Sequence, residues 1–184
     1  MARRPIRLVI AAMVVALVAL LIVVGSGRTD SPITSPTCLR SQLRVAFVGV
    51  SGGLGHEGRL IRITNVSGTA CSLTGYPKVT GIVTAGVQKN FKDTVDGYLG
   101  GLTSSPLRKD ELPVVTLPAR RGVATSMEES VLRQTCPSFT SYVVSLPHVT
   151  GGSYTFHLHW TDRYCFQPEV HPLLPGRTES ADVA

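Results

Sequence analysis

Past its first 25 residues, this chain alternates apolar and polar residues with a period of two. Leu43 to Val50 (LRVAFVGV) places Leu43, Val45 and Phe47 on one face. Arg59 to Val66 (RLIRITNV) sets Ile61 and Ile63 against Arg62 and Thr64. Tyr154 to Trp160 (YTFHLHW) alternates most cleanly, with Tyr154, Phe156, Leu158 and Trp160 inward and Thr155, His157 and His159 outward. Successive side chains of a strand point to opposite faces, so each run predicts a half-buried strand. Shorter strands are predicted at 70–74, 79–84, 86–91, 113–117, 122–130 and 140–146. Gly, Pro, Ser and Thr turns separate them, and almost nothing reads as helix. Seven or eight such strands predict an all-β domain, an immunoglobulin-like antiparallel β-sandwich.

The N-terminus breaks this pattern. Leu8 to Val24 (LVIAAMVVALVALLIVV) is an uninterrupted apolar run of 17 residues, preceded by Arg3, Arg4 and Arg7. A signal-peptide core spans roughly 7–15 residues and a membrane-spanning helix roughly 17–25, so the length favours a retained signal anchor. No A-x-A cleavage site follows, and Cys38 lies too far downstream to carry a lipid. Flanking arginines stay cytoplasmic, which places the rest of the chain outside the membrane. Four segments are expected: a signal anchor forming one N-terminal transmembrane helix at 1–25, a Ser/Thr/Pro linker at 26–37, a disulfide-stabilised β-sandwich at 38–168, and a disordered tail at 169–184. The expected location is the cell membrane, single-pass, with the C-terminal domain extracytoplasmic. Cleavage after the run would make the protein secreted.

Charge alters this picture little. Four of the 18 Lys and Arg (Arg3, Arg4, Arg7 and Arg28) flank the apolar run, leaving 14 against 12 acidic residues. A net charge of +2 with no basic patch excludes a nucleic-acid surface. Cysteine usage says more. Cys38, Cys71, Cys136 and Cys165 form an even set without a C-x-x-C pair, as a structural disulfide framework in an oxidising compartment would. Three connectivities are possible; order along the chain favours Cys38–Cys71 and Cys136–Cys165.

The most specific motif is Thr64 to Pro77 (TNVSGTACSLTGYP): a strand end, a tight turn at Asn65-Val66-Ser67-Gly68, a cysteine-bearing strand, and a break at Gly75-Tyr76-Pro77. With Cys38-Leu39 and Leu43 upstream and Gly55-His56-Glu57-Gly58 before the second strand, the chain resembles the exported actinobacterial domains known as domain of unknown function 4232. The likeness covers roughly Cys38 to Leu146. It departs at Leu117-Pro118-Ala119-Arg120-Arg121-Gly122-Val123-Ala124, where Ala and two Arg stand in place of the pattern's glycines. The resemblance implies an envelope-exposed β-rich domain, secreted or membrane-attached, and brings no activity with it.

Candidate chemistry is sparse. Gly49-Val50-Ser51-Gly52-Gly53 fits G-x-S-x-G, but no helix is predicted after it, so the nucleophile-elbow context is missing and a glycine-rich hairpin loop is expected. His56 and Glu57 are neighbours whose side chains should point apart. Asn65-Val66-Ser67 fits a glycosylation sequon and equally an Asx-type turn, which is the expected reading. His157 and His159 lie two apart on a strand, about 7 Å from each other on one face. They could share a copper or zinc ion if His148, His171 or Asp162 supplied a third ligand. Ordinary wet-face polarity is the expected reading of the pair, since two histidines alone rarely make a closed site. The long stretch Asp93 to Pro113 reads as a loop suited to a contact. The expected function is a membrane-anchored extracytoplasmic module, non-enzymatic and without cofactor, that binds an envelope protein, glycan or lipid or has a structural role. The alternative is a metal-binding domain.

Overall fold

The period-two runs become strands in the computed structural model, which describes residues 35–83, 86–95, 108, 111–131, 136–163 and 166–176. A short 3-10 turn, Arg40–Gln42, leads into β1 (Leu43–Gly53) and β2 (His56–Asn65). Then come β3 (Cys71–Leu73), β4 (Lys78–Val83), β5 (Gln88–Asn90), β6 (Lys92–Asp93) and β7 (Val115–Leu117). The rest are β8 (Val123–Val131), β9 (Ser138–Ser145), β10 (Tyr154–Arg163), β11 (Glu169–Val170) and β12 (Leu174–Pro175). No helix among the described residues is long and apolar enough to cross a membrane. The 8–24 run, residues 26–34 of the linker, Cys165 and most of the 93–113 loop lie outside the described residues.

Two sheets carry the architecture. One runs β1-β2-β8-β11-β6, with β12 also on β8, and the other runs β10-β9-β4-β5; β3 and β7 make a small third pair. Aromatic rings join the two main sheets. Phe47 on β1 meets Tyr142 on β9 at 5.2 Å and Phe156 on β10 at 5.1 Å between centroids, and Phe139 lies 5.2 Å from Tyr142. Tyr142 is fully buried, as are Ile61, Ile63, Leu117 and Val144. The inward residues read from the alternation at β1 and β2 therefore form this core.

A glycine makes the tightest of these contacts possible. A Cβ on Gly81 would stand 2.2 Å from a ring carbon of Phe139. That ring already packs against Phe91 and Tyr142, at 5.7 and 5.2 Å between centroids, and has nowhere to go. Gly81→Ala is expected to cost about 1–3 kcal/mol by overpacking, and Phe139→Leu in the same chain should return part of it. Urea unfolding of the single and double variants checks this; a double variant no more stable than the single one would rule out the ring clash as the cause.

The motif at 64–77 has a plain structural role. Asn65 is fully buried. Its side-chain amide donates to the carbonyls of Thr69 (2.8 Å), Leu117 (3.0 Å) and Pro118 (3.2 Å), and its Oδ1 accepts from the Ser67 amide (2.9 Å). That is an Asx turn tying the end of β2 to the β7–β8 connection, and it leaves no exposed nitrogen for a glycan. Cys71, next in the block, is joined to Cys38. Gly75 takes φ +99, a left-handed conformation that glycine adopts without strain. Where the family pattern has glycines, Arg120 takes φ +58.

The C-terminal segment is the main surprise. Residues from Glu169, expected as a disordered tail, instead supply β11 and β12, both antiparallel to β8. His171, Leu173 and Leu174 are buried, and the Leu173 amide donates to the Gly75 carbonyl at 2.9 Å. Two-residue strands between prolines leave no period for a sequence reading to find. Residues 177–184 lie outside the described residues.

Candidate functional site

The β1–β2 hairpin turns at Leu54-Gly55, both with positive φ (+49 and +87). Leu54 at its tip is 91% exposed. Gly49, at φ +69, marks a bulge in β1 between Val48 and Val50. β1 starts just after the Cys38–Cys71 bridge and runs 11 residues, so the hairpin tip is roughly 30 Å from the start of that strand. β8 ends beside it, with Val131 opposite His56. Charged residues collect at this remote end.

They divide between the two faces of one sheet. Arg59 and Glu57 share the parity of Ile61 and Ile63, and Arg59 pairs directly with Glu128 across the β2–β8 ladder. The Arg59 guanidinium contacts the Glu57 carboxylate, and its Nε lies 3.9 Å from Oε1 of Glu128. Arg59 is 8% exposed and Glu128 1%. This ion cluster sits inside the fold. On the opposite face, His56 Nδ1 lies 2.9 Å from Oε1 of Glu129, and His171 Nε2 lies 3.6 Å from Oε2 of the same carboxylate. His56 and Glu57 thus point apart, as strand geometry requires. The Ser126 hydroxyl donates to the His171 carbonyl at 2.5 Å, fixing the segment after β11.

A recess of about 310 Å³ opens beside this second group. It is lined by His56, Glu129, Ser130, Val131, Phe166, Gln167 and Glu169. Phe166 is 57% exposed at its rim. Glu169 lies directly opposite Glu129 in the β8–β11 register. Two carboxylates, an imidazole, a hydroxyl and an aromatic edge can hold a cation that also has an apolar part.

The His157–His159 pair singled out from the sequence lies elsewhere, on β10. His157 is exposed on β10 opposite Ser141, and the ladder is irregular between His157 and Asp162. The side chain of His159 lies outside the described residues. His171, one of the possible third ligands, belongs to the other sheet and faces Glu129. Among the described residues no group of three His, Cys, Asp or Glu side chains is arranged to hold a metal ion. Ser51 lies within β1 opposite Gly58, on a strand that continues to Gly53 and turns back as β2, so the glycine-rich loop expected there is mostly strand. Cys136 is disulfide-bonded, and no described cysteine is free.

Arg59, Glu128 and Glu129 were not singled out from the sequence, and His171 only as a possible third ligand for the His157–His159 pair. One signal was available: adjacent carboxylates on a strand point to opposite faces, so one of Glu128 and Glu129 had to face inward. No curated protein and no solved structure matches the chain. The likeness expected to reach Leu146 is matched over a shorter stretch, which includes β1, β2, the Cys38–Cys71 bridge, His56 and Arg59. Residues 38–97 match the model of the family described as Domain of unknown function (DUF4232).

Proposed function

We propose that this chain is a membrane-anchored, extracytoplasmic binding module of the cell envelope, non-enzymatic, with an immunoglobulin-like sandwich as its scaffold. The strand orders support the scaffold: β1-β2-β8 and β10-β9-β4-β5 follow the A-B-E and G-F-C-C′ orders of that fold. The 8–24 run and its arginines support the anchor. A second bridge, Cys136–Cys165, completes the framework in this reading. The observation that carries the function is the recess at the end of the domain remote from residues 35–38, with exposed Leu54 and Phe166 at the same end.

The test is photocross-linking in intact cells of the native host. A photoreactive residue at Leu54 or Phe166 of the full chain should give a discrete adduct in the membrane fraction. One at Lys89, on the exposed strand β5, should not. No adduct above the Lys89 background would sink the binding-module reading. An adduct found only in the soluble fraction would make the apolar run a cleaved signal.

A further inference from the structure

The two ends of the β1-β2-β8 sheet differ in charge. Glu57, Glu128, Glu129 and Glu169 gather where β2 begins and β8 ends. At the other end, where β2 ends and β8 begins, three turns are laced together. The Val66 amide donates to the Gln42 carbonyl (2.8 Å), the Asn65 amide to the Gly122 carbonyl (2.8 Å) and the Arg120 amide to the Ser67 carbonyl (3.0 Å). The Gln42 side-chain amide donates to Thr69 Oγ1 at 2.9 Å. The segments so joined, 39–44, 65–69 and 118–122, hold Arg40, Arg44, Arg120 and Arg121 and no acidic residue. Arg40 donates to the Ser153 carbonyl at 3.1 Å and stacks on the Tyr154 ring. Arg44, Arg120 and Arg121 are exposed and form no ion pair among the described residues. Two apolar side chains stand out to solvent beside them, Leu39 at 54% and Val66 at 48% exposure. The turn itself does not ask for arginine: Arg120 stands at φ +58, where glycine or asparagine would be unstrained.

We infer that this end of the domain docks on a bilayer surface rich in anionic lipid headgroups. Arg44, Arg120 and Arg121 would engage the phosphates, and Leu39 and Val66 would enter the boundary between headgroups and acyl chains. The guanidinium fork matches phosphate oxygens, and each basic side chain near an anionic bilayer strengthens binding about fivefold. The apolar pair decides the occupant. A bilayer takes basic and apolar side chains together, whereas a nucleic acid backbone or a soluble polyphosphate offers no apolar layer to Leu39 and Val66. The inference rests on the membrane-anchored reading for its setting, since a chain held in a bilayer meets that surface at high effective concentration.

The full chain is reconstituted with vesicles of phosphatidylcholine alone or of equal parts phosphatidylcholine and phosphatidylglycerol, and amide hydrogen exchange is compared. Exchange at 39–44, 65–69 and 118–122 should slow about fivefold or more on the anionic vesicles, and high salt should shrink the difference. Arg44→Gln, Arg120→Asn and Arg121→Gln together should abolish the slowing, while lysine at the same three positions should keep most of it. Leu39→Ser with Val66→Ser should weaken it severalfold. Slow exchange at Ile61 and Ile63 in the same samples verifies that each variant is folded. Equal exchange on the two kinds of vesicle, or slowing that survives the loss of all three arginines, would overturn the inference. So would slowing of the same size by an oligonucleotide or polyphosphate without vesicles that the Leu39 and Val66 changes leave intact, because the surface would then take a soluble polyanion. Flotation separates this surface from the anchor. Protein that floats with phosphatidylcholine vesicles yet shows no slowing on anionic ones keeps the anchor and loses the surface. Protein that floats only with anionic vesicles, with the slowing present, keeps the surface and loses the anchor. Floating with neither removes both.

Discussion

Replacing Arg59 with methionine is expected to destabilise the protein by about 3–5 kcal/mol, because it leaves Glu57 and Glu128 without the cation between them. The substitution keeps most of the side-chain volume and its apolar stem, so little of the loss can be assigned to packing. Glu128 is 1% exposed and cannot recover its solvation by turning to water. Val170, buried on β11, faces it from the other side of the ladder. The same physics predicts an asymmetry. Taking two charges out of water costs several kcal/mol per ion, which their attraction repays only in part. Arg59→Met combined with Glu57→Gln and Glu128→Gln should therefore be markedly more stable than Arg59→Met alone. Guanidinium unfolding of the oxidised protein checks both statements. A single variant within about 1 kcal/mol of the parent would mean the cluster is solvated after all. A triple variant no better than the single one would mean that the guanidinium acts through its own packing.

That cluster also marks where sequence reasoning stops. The strands were legible because Ile61, Ile63, Val45 and Phe47 repeat every second residue, and a one-residue slip would put all of them in water. The alternation that places Ile61 and Ile63 inward places Arg59 inward too. An arginine at such a position is read as a strand end unless its partner is known, and the partner, Glu128, lies on a strand 69 residues further along the chain. Glu129 is buried for a similar reason. His171, which faces it, comes from a segment whose prolines and two-residue strands carry no period. The expected His157–His159 pair was a local pattern, and strand parity alone can suggest such a pair. A site drawn from β2, β8 and β11 depends on topology, and alternation does not encode which strand lies beside which.

Loss of the Cys38–Cys71 bridge is expected to cost about 3–4 kcal/mol, the unfolded-state entropy released by opening a loop whose ends are 33 residues apart. The effect should also be uneven. The bridge holds the segment at Pro36 to Cys38 against β3, where the Cys38 amide donates to the Ser72 carbonyl at 3.1 Å and the Ser72 amide to the Pro36 carbonyl at 2.8 Å. Apart from a single bridge between Thr37 and Ser72, β3 pairs among the described residues with β7, over three residues. A two-stranded pair of that length does not persist in water without support. β2 and β8 pair over nine positions in the middle of their sheet and do not depend on the bridge. In a Cys38→Ala, Cys71→Ala variant, amide hydrogen exchange should therefore lose protection first at β3 and β7, while Ile61, Ile63 and Met127 keep theirs until global unfolding. Uniform loss of protection would confine the bridge to an entropic role on the whole chain. Stability within about 1 kcal/mol of the parent would contradict the entropic account as well, and leave the buried contacts of Cys71, Leu73, Val115 and Leu117 as what holds this corner.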